Sequence, residues 1–296
     1  MVDSFIRYVR FEKRYSDHTV TAYENDLKQL TAFINSELTE NKVIQELNQK
    51  DLRFWIIFLS EQGLSNKSIN RKIASVKSYF KFLLIRDIIT DNPTSRLKPL
   101  KSEKKLPVFI KENEMSWLLD QVEFHEKTPF ESIRNQLIFE LLYGTGIRLS
   151  ELKGLKIENI SFYNNSIKVL GKRNKERLIP MNPNLVRIIR SYLKERQLLK
   201  QIEDPAYFLL TNKGKSLYPM LIQRVVKKYV MQVSSITKKS PHVLRHTFAT
   251  HLLNKGADLN SVKDLLGHSS LAATQVYTHN TLSKLKTVFD QAHPKA

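Results

Sequence analysis

The sequence predicts a mainly α-helical protein in two parts: an all-helical N-terminal region, and a mixed α/β C-terminal region holding one small antiparallel sheet. Three observations predict it. Apolar residues recur at helical spacing through the first third of the 296 residues. The stretch D-N-P-T-S-R-L-K-P-L-K-S-E-K-K-L-P over 91–107 then breaks that pattern with three prolines and a lysine cluster, and reads as an interdomain linker. Beyond it, I-K-V-L and R-L-I-P-M flank G-K-R-N-K-E, a hairpin signal set among helical stretches. A chain of this length suits about two domains.

The first helical stretch carries Phe5, Tyr8, Val9 and Glu12. Ser16 or Asp17 caps a second, over 19–35, whose apolar stripe is Val20, Tyr23, Leu27, Leu30 and Phe33–Ile34. Residues 36–47 are polar and loop-like. Asn48 caps a third helix with Leu52, Trp55, Ile56 and Leu59, stopping at Gly63. Ser65 caps a fourth, over 67–86, with Ile69, Ile73, Val76, Phe80 and Leu83–Leu84 inward. Its other face shows Lys67, Arg71, Lys72, Lys77 and Lys81, a solvated face that a strongly basic chain can lay on DNA phosphates. The division that follows is 1–97 helical domain, 98–109 basic linker and 110–296 second domain. Lys101, Lys104 and Lys105 of the linker are further candidates for phosphate contact.

In the second domain, Asn113 caps a helix over 114–122 and Pro129 opens another, with Ile133, Leu137, Ile138, Leu141 and Leu142 as core. That helix ends in Y-G-T-G-I-R-L-S-E-L, where Gly144 stops it and Arg148 stands at the start of a short helix. Residues 166–170 and 177–181 are the hairpin strands, with Lys172 in the turn. Helices follow over 184–200 and 219–233, and Tyr207 to Leu210 is one more short strand. Ser240 caps a helix with Pro241 at its first position, running to Gly256; the next covers 259–266 and stops at Gly267. A short helix precedes Tyr277 and a last one covers 282–292.

Composition narrows the function. Against 29 Asp and Glu there are 48 Lys and Arg, a formal charge of +19, which is the electrostatic footprint of a nucleic-acid binder. The cations are spread over several helices rather than gathered beside an anchor, which argues against a membrane-surface role. No apolar run approaches the roughly 18 residues of a membrane span. The start M-V-D-S-F-I-R-Y-V-R has no apolar leader region, so no signal peptide is expected. The absence of cysteine excludes disulfides, thiolate catalysis and Cys-based zinc sites, and fits a cytoplasmic protein.

Several motif fragments fail on inspection. Gly214-Lys215-Ser216 resembles the end of a P-loop, but Leu209 stands where its first glycine belongs. Gly144-Thr145-Gly146 has Leu149 in place of the third glycine of a dinucleotide fingerprint. His125-Glu126 begins like a zinc-protease helix, but the second histidine position is Pro129. His242 and His246 are spaced i, i+4, yet Arg245 lies between them and no carboxylate completes a ligand set. Neither a metal nor another cofactor is expected.

What remains is Arg148, Lys172, His242, Arg245, His268 and Tyr277. Five of the 8 histidines fall between 242 and 279. Singly these residues have ordinary readings: Arg148 pairs with Glu151 at i+3, Lys172 is solvated in a turn, His242 and Arg245 share a polar helix face. His246 and His251 read as supporting residues. Jointly, the six are donors or cations, with one phenol that can act as a nucleophile. Such a set suits gripping a phosphodiester and stabilising the extra negative charge of its transition state. Two arginines can give bidentate bonds to non-bridging oxygens in the role metal ions play in many nucleases. Attack by tyrosine would store the DNA bond energy in a phosphotyrosine ester, so rejoining needs no ATP.

The motifs G-T-G-I-R-L-S-E-L, P-H-V-L-R-H-T-F-A-T-H-L-L, L-L-G-H-S and T-Q-V-Y-T-H resemble the signature boxes of the tyrosine recombinases, the phage-integrase family. G-K-R-N-K-E-R-L-I-P resembles that family's catalytic-lysine hairpin, with Arg173 where many relatives have glycine. The resemblance covers nearly the whole chain and points to the Xer subgroup. It implies a SAM-like core-binding domain and a catalytic domain forming a C-shaped clamp on double-stranded DNA. It implies that Tyr277 attacks the scissile phosphate to give a 3′-phosphotyrosyl link. Arg148 and Arg245 would clamp the phosphate, Lys172 would serve as general acid, His242 would assist proton transfer and His268 would bond the phosphate. It further implies a homotetramer or a heterotetramer with a second recombinase, acting through a Holliday junction. The tail with Leu282, Leu285, Val288 and Phe289 would dock in a neighbouring protomer. Chromosome-dimer resolution, with a DNA translocase of the FtsK type as possible activator, leads over integration, excision or inversion of a mobile element. A type IB topoisomerase and a non-cleaving architectural protein are the rivals.

Overall fold

Side-chain caps set where the helices of the N-terminal unit begin. The computed structural model describes residues 1–38, 42–102, 108–171 and 176–267. Helix α1 (Val2–Arg7) runs on into a π-helical turn over Tyr8–Glu12. Ser16 Oγ accepts from the Thr19 N–H at 3.3 Å and opens α2 (Asp17–Glu37). Asn48 accepts from the amides of Lys50 and Asp51, while Asp51 reaches back to the Asn48 N–H at 3.0 Å, opening α3 (Gln49–Glu61). Ser65 does the same for α4 (Asn66–Ile85) through the Ser68 N–H. The apolar stripes of α1, α2, α3 and α4 meet in a core that fully buries Phe5, Leu27, Trp55, Tyr79 and Phe80.

The chain divides into two compact units, Met1–Lys105 and Leu106–Ala296. The first part of the expected linker is bound to the first unit. Asn70 of α4 accepts from the Leu100 N–H at 2.7 Å and donates to the Leu100 carbonyl at 2.8 Å, and Asn66 donates to the Lys101 carbonyl at 2.8 Å.

In the second unit, α5 (Glu112–Asp120) starts earlier than Asn113 suggested. The Glu114 carboxylate reaches back to the Lys111 N–H at 3.2 Å, which makes Lys111 the cap and puts Asn113 inside the first turn. Thr128 caps α6 (Pro129–Gly144), and the chain then turns through Gly146, at φ +60°, into α7 (Leu149–Lys153). Strands β1 (Ile160–Ser161), β2 (Ser166–Leu170) and β3 (Glu176–Pro180) form an antiparallel sheet in chain order, with Ile167 opposite Ile179 and Val169 opposite Arg177. The two-residue strand β1 is too short to leave a periodic signal. Tyr207 to Leu210 is not a strand. It makes only isolated bridges, Lys156 with Tyr207 and Leu210 with Ser216.

Helices α8 (Pro183–Gln197) and α9 (Pro219–Val233) flank the core formed with α6. Helix α10 (Pro241–Asn254) has Ser240 as its cap residue, but the expected side-chain bond is absent: Ser240 Oγ is buried without a partner among the described residues. It ends two residues before Gly256, which takes φ +85°. Helix α11 (Leu259–Leu266) is capped by Asp258 and closed by Gly267 at φ +64°. Helix α10 also holds the start of the unit. Thr247 Oγ1 accepts from the Ile110 N–H at 3.0 Å and His251 Nε2 bonds the Ile110 carbonyl at 3.0 Å. Because that carbonyl can only accept, His251 carries its proton on Nε2 and Nδ1 takes the Tyr143 hydroxyl at 2.9 Å. Among the described residues no helix is long and apolar enough to cross a membrane.

Candidate active site

Three arginines from separate elements meet at the C-terminus of α11. A helix leaves its last carbonyls without intrahelical partners and carries partial negative charge there. Here three successive carbonyls each take a guanidinium. Arg177 Nε donates to Leu265 O at 3.0 Å, Arg245 Nη2 to Leu266 O at 2.6 Å, and Arg148 Nη2 to Gly267 O at 2.7 Å. Arg245 also donates to the Gly146 carbonyl at the turn after α6. Gly146 is needed there for two reasons. Its φ is positive, and a Cβ would lie 2.6 Å from the Phe248 ring and 2.7 Å from Leu266.

One buried carboxylate ties two of these arginines together. Arg177 meets Glu151 in a bidentate pair, Nη1 to Oε1 and Nη2 to Oε2, both at 2.8 Å. Arg148 Nη1 adds a bond to Oε1 at 2.7 Å and its backbone N–H one to Oε2 at 2.8 Å. Burial alone would raise the Glu151 carboxyl, but the hydrogen bonds and charge of Arg177, then those of Arg148, hold it down at about 2. Burial, then the like charges of Arg148 and Arg177, press the Arg245 guanidinium down to about 10, so it stays cationic at neutral pH. Three guanidiniums against one carboxylate leave a net charge of +2 in a largely water-excluded place. Such a place suits a phosphate dianion or the charge that develops on phosphoryl transfer.

Arg148 and Arg245, 99 or more residues from their partners in part, are thus brought together, with Arg148 keeping 27% of its side chain open. The helix-end pairing of Arg148 with Glu151 and the phosphate-gripping reading are not alternatives: one face of the guanidinium is held, and the other donors remain. His242 is exposed at the start of α10, one turn before Arg245. His246 is half-buried and His251 fully buried. Lys172, His268 and Tyr277 lie outside the described residues, as do Lys104, Lys105 and the expected helix over 282–292. Sequence reasoning missed Arg177. Its signal was a cation in an otherwise inward-facing strand position, 4% exposed in R-L-I-P.

One phosphate candidate is withdrawn outright. Lys72 is 4% exposed, and its Nζ donates to Asp26 at 3.0 Å and to Gln29. Asp26, buried on α2, needs that cation, and Arg71 and Ser75 complete its set. Lys77 is half-buried with its ammonium on the Leu97 carbonyl at 2.6 Å, so it braces the end of the unit. Lys67, Arg71 and Lys101 remain exposed.

Residues 2–87 match the phage integrase N-terminal SAM-like domain, and residues 108–284 match the phage integrase family. The chain is 37% identical over 317 aligned positions to the tyrosine recombinase XerC of Chlorobaculum parvum, covering 100% of this chain and 94% of the relative. To the XerC of Oceanobacillus iheyensis it is 38% identical over 298 positions, covering 100% and 96%. The fold is shared with the Tn1549 transposon integrase in complex with transposon right-end DNA, at TM-score 0.72 and 21% identity over 97% of this chain and 98% of that one. It is shared too with XerH bound to its difH substrate, at TM-score 0.70 and 20% identity over 99% and 82%. The chain belongs to the phage integrase family, the tyrosine recombinases. Within that class it is an Xer-type site-specific recombinase, an enzyme that cuts and rejoins DNA.

Proposed function

We propose that Tyr277 is the nucleophile, attacking a scissile phosphate to give a 3′-phosphotyrosyl bond and a free 5′-hydroxyl. Arg148 and Arg245 hold the two non-bridging oxygens. Lys172 protonates the leaving 5′-oxygen, His242 assists proton transfer and His268 bonds the phosphate. The observation that carries this reading is the surplus of guanidinium charge at the end of α11, where His268 comes just after the closing Gly267 in the sequence. The stabilisation comes from guanidiniums, so neither metal nor nucleotide enters the proposed steps. Lys67, Arg71, Lys101, Lys104 and Lys105 contact DNA phosphates, and the basic 98–109 segment joins a core-binding domain over 1–97 to a catalytic domain over 110–296.

The likeness to XerC-named relatives favours resolution of chromosome dimers as the biological role, and the proposal further takes the protein to act in the cytoplasm as a tetramer that is homomeric or shared with a second recombinase. The proposed activator is a DNA translocase of the FtsK type. The test is a nicked suicide duplex carrying a site selected by gel shift from a random-sequence pool. The wild-type protein is expected to accumulate a covalent adduct, and Tyr277→Phe to bind the duplex equally well and form none. An adduct that persists in Tyr277→Phe sinks the nucleophile assignment.

A further inference from the structure

We infer that Arg177 is a positioning residue for strand cleavage: by taking both oxygens of Glu151 and the Leu265 carbonyl, it leaves Arg148 and Arg245 with donors to give to the phosphate. The inference rests on the phosphate-holding roles proposed above for those two arginines. The observations are geometric. Arg177 comes from β3, the second strand of the hairpin, and is 4% exposed. All three of its guanidinium nitrogens are bonded: Nε to Leu265 O, Nη1 and Nη2 to the two Glu151 oxygens. It is therefore turned wholly inward. Arg148, by contrast, spends one nitrogen on Glu151 and one on Gly267 and stays partly open.

Without Arg177, Glu151 would be a buried carboxylate with one guanidinium beside it. Its whole charge would fall on Arg148, drawing that fork into a bidentate pair and removing the donors a phosphate needs. The end of α11 would also lose one of its three arginine attachments, and His268 follows directly. Gly267 is fitted to this arrangement. A Cβ there would come within 3.2 Å of the Arg177 side chain, so the glycine lets the arginine pass beneath the helix end.

Charge arithmetic gives a test that a purely structural role would fail. Wild type holds three guanidiniums and one carboxylate, net +2. Arg177→Met gives +1, Glu151→Gln gives +3, and the double variant returns to +2. On the same nicked duplex, at saturating concentration, Arg177→Met is expected to slow adduct formation on the order of 10²-fold with the dissociation constant unchanged. The same substitution in the Glu151→Gln background should cost about threefold or less, the non-additivity expected of residues that act through one another. Equal losses in both backgrounds, a wild-type rate, or a loss of binding in step with the rate overturns the inference. Should Arg177→Met not fold, Arg177→Lys keeps the charge but not the bidentate fork; a slowed rate at unchanged binding is expected, and a wild-type rate overturns the inference. A DNA-free readout separates this from the fate of the proposed mechanism. The Glu151 carboxyl carbon resonance should titrate at higher pH in the Arg177 variants whether or not the wild type forms an adduct.

Discussion

Each unit of the molecule holds a carboxylate buried among cations, Asp26 in the first and Glu151 in the second, and the two clusters are built differently. In the helical unit Asp26 takes Lys72, Arg71 and the Ser75 hydroxyl, and Gln29 takes up a further donor of Lys72. The buried charges there, Asp26 and Lys72, cancel, and Arg71 trails into solvent with 48% of its side chain exposed. In the second unit Glu151 faces Arg148 and Arg177 with Arg245 close by, and the excess is balanced by peptide carbonyls instead of carboxylates. A cluster that only holds a fold neutralises itself. One that keeps a buried surplus of positive charge, offset by the weak dipoles of a helix end, is arranged to receive an anion.

That contrast can be broken most forcefully by removing the carboxylates. Asp26→Ala and Glu151→Ala are each expected to cost about 3–5 kcal/mol in urea melts, since each leaves buried cations uncompensated. The clusters should then part company. Asp26→Leu with Lys72→Met should restore stability to near wild type and leave adduct formation at saturating DNA intact. Replacing Glu151 and Arg177 by apolar residues together should not restore cleavage.

Acid sharpens the difference at smaller cost. The folded Glu151 carboxyl, at about 2, lies below its ordinary 4.5, so its contribution is complete above pH 4.5 and is lost as pH falls through about 2. The integrated effect is on the order of 3 kcal/mol. His251 acts at milder pH. Burial first, and Lys255 in addition, hold its imidazole below 6.5 against the opposing pull of the Ile110 carbonyl and Glu112. Neutral His251 therefore supports the second unit above pH 6.5, and that support declines as pH falls below it. Melting the protein between pH 7 and pH 5 should show a slope that His251→Gln removes.

The gentlest comparison is between two serines at equivalent positions. Ser16 makes its capping bond and Ser240 does not. Ser16→Ala should cost about 1 kcal/mol, and Ser240→Ala about 0.5 kcal/mol at most in either direction, by the same melts.

What was readable in the sequence follows the range of the interactions. Caps at Ser16, Asn48 and Ser65 bond within three residues, and each can be read from its neighbours. The start of α5 was misread because Lys111 caps through its backbone, with the recognisable group displaced to Glu114. Lys72 looked like a surface cation because its partner Asp26 is 46 residues away on another helix. Arg177 gave only a faint local sign, a cation in an inward-facing strand position, since its partners are far off: Glu151 lies 26 residues before it and Leu265 88 residues after. Arg148 and Arg245 were legible as chemistry through their motif boxes. Their meeting place on the carbonyls of Leu266 and Gly267 was not, because a peptide oxygen has no letter of its own.

The capture of Ile110 has a mechanical side. Both of its backbone polar groups are fastened to α10, by Thr247 and by His251. A displacement of the backbone at Ile110 is therefore felt through those two bonds as well as along the chain into α5. Those bonds reach the helix that bears His242 and Arg245. A threonine hydroxyl and one imidazole thus join the start of the second unit to the helix that carries Arg245.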